Sequence, residues 1–267
     1  MAYATNDGVE IYYEQSGPAD GDAVVFVEGL AYGTWMWNWQ RDPLSAAYRT
    51  AVFDNRGTGE SDTPEGPYTV AEMAGDLAAV LDDAGLEDVH LVGASLGGMI
   101  AQEYALESDR VRSLALLCTT PGGDEAVPIP DETLARMLDV PEEHGPAETI
   151  RYRMRPAFTD QFRGENPDVV DRIVEWRLKT DPSEDAYEWQ SAAASTFDAS
   201  DRLADLDVPT LVLHGTADQV LPVENADLLA EAIPDAELVA VEGGSHLFFV
   251  EKADRVTGEL RGFFADV

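Results

Sequence analysis

Short, nearly unbroken apolar runs alternate along this chain with stretches in which apolar residues return every third or fourth position. The runs cover residues 9–13, 24–27, 50–53, 89–93, 111–118, 210–214 and 237–241. They are rich in β-branched residues and show little polar alternation, the pattern of strands buried on both faces of a mostly parallel sheet. Residues 70–84, 96–107, 223–233 and 249–264 carry the helical spacing i, i+3, i+4, which predicts helices laid against that sheet. At the start, residues 3–5 and 9–13 flank Asp7-Gly8, a pair suited to a tight turn, so the sheet should begin with an antiparallel hairpin at its edge. The fold class is therefore α/β, a mostly parallel central sheet flanked by helices.

The alternation stops at Pro121 and resumes only with the run at 210–214. The intervening sequence is punctuated by proline and reads as helix: RYRMRPAFTDQF, NPDVVDRIVEWRLK, EDAYEWQSAAASTF. Residues 1–120 and 207–267 are thus expected to form one core domain, and 121–206 a helical cap inserted into it. Met154, Phe158, Phe162, Trp176 and Trp189 supply the apolar face that would pack the cap down.

Composition adds a constraint that the pattern does not contain. The chain has 267 residues, 45% of them hydrophobic, enough for one large core. Its formal net charge is −35, from 52 acidic residues against 17 basic ones, of which only Lys179 and Lys252 are lysines. Such a charge repels DNA and anionic lipid. It is tolerable where salt is molar, because at ~1 M the Debye length is about 3 Å and the carboxylates are screened. The acids run along the whole sequence without an acidic tail, so the expectation is a halophilic protein, haloarchaeal in type, and cytoplasmic. No apolar run reaches the length of a membrane span, and the first residues lack a signal-peptide pattern. One cysteine, Cys118, and four scattered histidines offer neither a disulfide nor a metal cluster, and no cofactor is expected. Monomer and homodimer both remain open.

The chemistry is concentrated at three turns. Strand VHLVG runs into Gly93-Ala94-Ser95-Leu96-Gly97-Gly98 and then a helix, which is G-x-S-x-G in the strand-turn-helix setting that presents a nucleophilic serine on a sharp turn. A serine needs a base and an orienting acid, expected downstream in the order Ser, Asp, His. Asp218 follows strand TLVLH and His246 follows strand ELVAV. In an open α/β sheet these strand ends converge, so Ser95, His246 and Asp218 become neighbours. Asp54 and Asp124 also follow strands and are alternative acids. His90, His144 and His214 read as structural or exposed, and Cys118 as a buried thiol.

With GASLGG, HGTADQVLP, GGSHLFFVE and the turn Asp54-Asn55-Arg56-Gly57-Thr58-Gly59-Glu60-Ser61-Asp62, the chain resembles the α/β-hydrolase fold superfamily over essentially its whole length, in the branch of capped serine esterases and lactonases. The resemblance implies a carboxylic-ester hydrolase working through an acyl-enzyme on small to medium esters. A lactonase of the 3-oxoadipate enol-lactonase type, a cofactor-free perhydrolase and a non-catalytic binding module are the alternatives. It also implies an oxyanion hole made by the backbone N–H groups of Leu30 and Leu96. In that turn, after the run VVFV, stands Glu28, where relatives often carry histidine. A charge ~7 Å from the oxyanion at an effective dielectric of 20 is worth roughly 2 kcal/mol, so Glu28 is expected to be paired, with Arg56 as partner, or else turned away or protonated. Six of the arginines (Arg151, Arg153, Arg155, Arg163, Arg172 and Arg177) lie in the insertion. Most should pair with local carboxylates, but such a patch could also bind a carboxylate-bearing substrate.

Overall fold

The computed structural model describes residues 2–267. Eight strands form one sheet in the order β1-β2-β4-β3-β5-β6-β7-β8: β1 (Ala2–Asn6), β2 (Val9–Ser16), β3 (Ala23–Val27), β4 (Arg49–Phe53), β5 (Val89–Ala94), β6 (Val111–Leu117), β7 (Thr210–Gly215) and β8 (Ala236–Val241). β1 and β2 form the antiparallel edge, turning through Asp7 and Gly8 at positive φ, and every pair from β4 onward is parallel. The unbroken apolar runs have a direct cause. Along β3, Val25 and Val27 belong to one hydrophobic cluster, and Val24 and Phe26 to the cluster on the other face. Helices cover both faces, so neither parity of side chain meets water.

Helix Val70–Ala84 is bounded by local signals: a capping box between Thr69 and Glu72 at its start and Gly85 in the left-handed conformation at its end. The predicted helix over 249–264 is two pieces, Phe248–Glu251 and Ala253–Asp266, interrupted where Lys252 leaves helical geometry. The short helix Asn38–Leu44, with Pro43 inside it, carries no clear apolar period.

Between β6 and β7 the chain is helical, with Asp131–Leu138, Pro146–Arg153, Asp160–Glu165, Pro167–Thr180 and Glu184–Thr196 as its longer pieces. Its two ends are tied together by a bridge between Gly122 and Asp198 and by Ala199 N–H donating to Pro121 O at 2.9 Å. It rests on the sheet's carboxyl edge through aromatic contacts, among them Trp176 stacked on Trp35 with ring centroids 5.4 Å apart. Its own Met154 and Phe158 are buried. No described helix is long and apolar enough to cross a membrane.

Candidate active site

Ser95 sits at the carboxyl end of β5, next to the point between β3 and β5 where the strand order reverses. That is where open α/β sheets form a crevice. Its backbone is held at φ 55°, ψ −121°, a left-handed position that a non-glycine residue adopts only under external constraint. The constraint is visible. Ser95 N–H donates to Leu117 O at 3.0 Å, and Ser95 O accepts from Gly98 N–H and the Thr119 hydroxyl. The flanking glycines are needed because the chain crosses itself: a Cβ on Gly93 would lie 2.3 Å from Gly97 O, and one on Gly97 would lie 2.2 Å from Val27 O.

Asp218 and His246 occupy the loops after β7 and β8. His246 Nδ1 is 2.8 Å from Asp218 Oδ2. Asp218 Oδ1 accepts from Val220 N–H at 2.7 Å and Leu221 N–H at 3.0 Å. Burial alone would raise the Asp218 pKa, but the His246 imidazole beside it and hydrogen bonds from His214 and His246 bring it down to about 2. The carboxylate therefore stays ionised through the neutral range. The histidine loop is fixed from the helical insertion, since the Ser245 hydroxyl and Leu247 N–H both donate to Ala157 O, at 2.8 and 2.9 Å. Ser95 and His246 line one cavity; no direct hydrogen bond joins them, as is common before substrate tightens such a site.

The turn after β3 lies against the elbow, where a Cβ on Gly29 would come 3.5 Å from Ser95 Cβ. Neighbouring amides are occupied: Gly29 N–H points at Met36 S, Ala31 N–H donates to Gln190 Oε1, and Tyr32 N–H donates to Gly29 O. Leu30 N–H makes no hydrogen bond among the described residues. Leu96, as first residue of its helix, has no intrahelical acceptor.

Glu28 corrects the expectation of an Arg56 partner. Arg56 turns to the helix Val70–Ala84, where Nε and Nη2 grip Asp76 at 2.6 and 2.8 Å, both side chains being buried. Glu28 is wholly buried, and neither carboxyl oxygen has a hydrogen bond of normal geometry. Burial, reinforced by the nearby Asp54, pushes its pKa well above the ordinary carboxylate range, and the backbone of Glu28 and Phe53 offsets this only in part. Burial of this kind favours the neutral carboxyl over the charged one. Arg56→Gln should consequently cost about 3–5 kcal/mol of stability by stranding Asp76. Chemical denaturation should show partial recovery on adding Asp76→Asn and none on adding Glu28→Gln.

Among the alternative acids, Asp124 is exposed. Asp54 is buried, and its oxygens accept from Thr34 and Glu60 N–H; burial raises its pKa to about 6 despite those bonds. Two residues gain roles that the sequence did not suggest. His214 Nε2 lies 3.2 Å from Asp218 Oδ2 and 2.9 Å from Leu221 O; the spacing of four residues before Asp218 was its only signal. Gln190, fully buried, accepts from Ala31 N–H and donates to Arg56 O and Thr58 Oγ1, so the insertion clamps the turn after β3. His90 bonds the Ser113 hydroxyl inside the sheet, and burial lowers its pKa to about 4. Cys118 is buried, and burial raises its thiol pKa. No group of three metal-ligating side chains at holding distance occurs among the described residues.

The chain as a whole is similar to known proteins. Residues 22–253 match the family model described as alpha/beta hydrolase fold. A protein of Azorhizobium caulinodans, provisionally named the carbamate hydrolase RutD, is 32% identical over all of this chain and 99% of its own length. The enol-lactonase of Burkholderia xenovorans superposes with a TM-score of 0.88 at 26% identity, covering 99% of this chain and 100% of its own. A thermophilic esterase of Thermogutta terrifontis superposes with a TM-score of 0.84 at 30% identity, covering 99% and 98%.

Proposed function

The chain belongs to the α/β-hydrolase fold family and is a hydrolytic enzyme, and from that premise we propose that it is a serine hydrolase cleaving small to medium carboxylic esters through an acyl-enzyme. The observation that carries this reading is the Asp218-oriented imidazole of His246 on the wall of a cavity shared with the strained Ser95. In it, Ser95 Oγ attacks the acyl carbon while His246 Nε2 takes its proton. The N–H groups of Leu30 and Leu96 receive the developing oxyanion, and His246 returns the proton to the leaving alcohol. Water activated by the same imidazole then releases the acid. Asp218 holds Nδ1 protonated, so that Nε2 is the free base. Residues 121–206 act as a cap whose Gln190 and Ala157 contacts steady the oxyanion turn and the histidine loop.

The second reading is lactone opening, which uses the same steps on a cyclic ester and is supported by the likeness to an enol-lactonase. A panel of acyclic esters and lactones, with and without peroxide, tests both together with perhydrolysis. Fluorophosphonate labelling mapped by mass spectrometry should modify Ser95. Ester turnover without peroxide and label on Ser95 are expected; activity only with peroxide, or label on another serine, overturns the proposal.

The charge of −35 supports a halophilic, cytoplasmic setting as part of the same proposal. Thermal midpoint and activity should both rise from millimolar to molar KCl, as screening removes self-repulsion. NaCl should act alike. A flat or falling salt curve discards the idea.

A further inference from the structure

The cavity that holds Ser95 and His246 is lined from the insertion by Met137, Arg153, Met154, Arg177 and Tyr187, and the two guanidinium groups are in different situations. Arg177 is buried and held by Asp181, with Nε 2.9 Å from Oδ1 and Nη2 2.8 Å from Oδ2, its guanidinium carbon 5.0 Å from the Tyr32 ring centroid. Arg153 lies over Tyr187, 4.7 Å from that ring centroid. It forms no ion pair among the described residues, and its buried Nε has no hydrogen-bond partner. Elsewhere in the insertion, Arg151 pairs with Asp171, Arg163 with Asp160 and Arg136 with Glu132.

Arg153 is one of five arginines, with Arg49, Arg155, Arg172 and Arg261, that form no ion pair among the described residues. This one is half-buried, and it faces the cavity of the proposed nucleophile. The Asp181 carboxylate feels the Arg153 charge but spends its hydrogen bonds on Arg177; desolvating a guanidinium that no anion touches is costly, and stacking on Tyr187 orients the fork without supplying that anion. The cavity measures about 70 Å³, which favours a short acyl part with the alcohol directed out of it.

We propose that Arg153, backed by the Arg177–Asp181 pair, receives a carboxylate of the substrate, so that the preferred esters are short and carry a free carboxylate a few bonds from the scissile carbonyl. This rests on the ester-hydrolase reading above. The local cation also answers a difficulty raised by the rest of the chain, since a net charge of −35 repels an anionic substrate at long range. Salt screens that repulsion over a few ångströms, whereas the contact inside the cavity is screened far less.

The test compares monoethyl succinate with ethyl levulinate, in which a methyl ketone replaces the carboxylate at nearly constant shape, at one fixed KCl concentration. Binding is measured by calorimetry on Ser95→Ala, so that it does not depend on turnover, and kcat and KM are measured on the wild-type enzyme. The half-ester should bind at least about tenfold more tightly and show its advantage mainly in KM. Arg153→Met should remove that preference, and Arg153→Lys should restore part of it, a charge without the planar fork. Equal binding of the two esters, or a preference that survives Arg153→Met, overturns the inference. Turnover of neither ester by a protein that still binds the half-ester selectively counts against the hydrolase reading and leaves the carboxylate site standing.

Discussion

Ser95→Ala should lower ester turnover by at least about 10⁴-fold while the protein keeps its fold. The serine hydroxyl is the only atom the substitution removes, and the elbow does not depend on it. The backbone there is held by Ser95 N–H on Leu117 O and by Ser95 O receiving Gly98 N–H and the Thr119 hydroxyl, none of which involves Oγ. Alanine at φ 55° is strained as serine is, so the difference in strain is small. Kinetics and far-UV circular dichroism on the same preparation decide it. A folded variant keeping more than about 1% of kcat would sink the assignment, because the oxyanion donors and the binding cavity alone leave only the small residual rate seen when a nucleophile is lost.

Much of the framework was legible because it rests on local rules. Helices Val70–Ala84 and Leu96–Glu107 fall where their apolar spacing puts them, and the strand ends agree to within a few residues. Burial on both faces writes itself into an unbroken apolar run. The short helix Asn38–Leu44 follows the 3-10 turn Thr34–Trp37 and is fixed by burial of Trp37 and Leu44 rather than by period, so it left no signal. Side-chain partnerships were harder. Arg56 and Asp76 are twenty positions apart, one on a turn and one on a helix, and pattern alone gives no reason to prefer Asp76 over Glu28. The roles of His214 and Gln190 depend on which strand ends and which cap helix meet in space. Glu28 shows the limit most clearly. Its sequence setting suggested a charge in need of a partner, and what decides its state is complete burial beside Asp54.

Asp218→Asn should be nearly as damaging as loss of the nucleophile, about 10⁴-fold in kcat, and for a reason that can be traced atom by atom. Asp218 Oδ1 receives two backbone donors, Val220 and Leu221 N–H. The amide of asparagine must therefore turn its oxygen toward them and its NH₂ toward the histidines. That NH₂ then faces His246 Nδ1, where Asp218 Oδ2 now accepts at 2.8 Å, and crowds His214 Nε2 at 3.2 Å. His246 can accept from it only in the tautomer that carries its proton on Nε2, which leaves no base to take the proton from Ser95. The loss should appear in kcat and kcat/KM alike, with KM little changed. Asp54→Asn serves as the comparison. Its oxygens receive Thr34 and Glu60 N–H and touch no histidine, so its cost should fall on stability in a thermal melt more than on kcat. If Asp54→Asn or Asp124→Asn slows the chemistry more than Asp218→Asn does, the orienting acid is elsewhere and the site must be rebuilt around it.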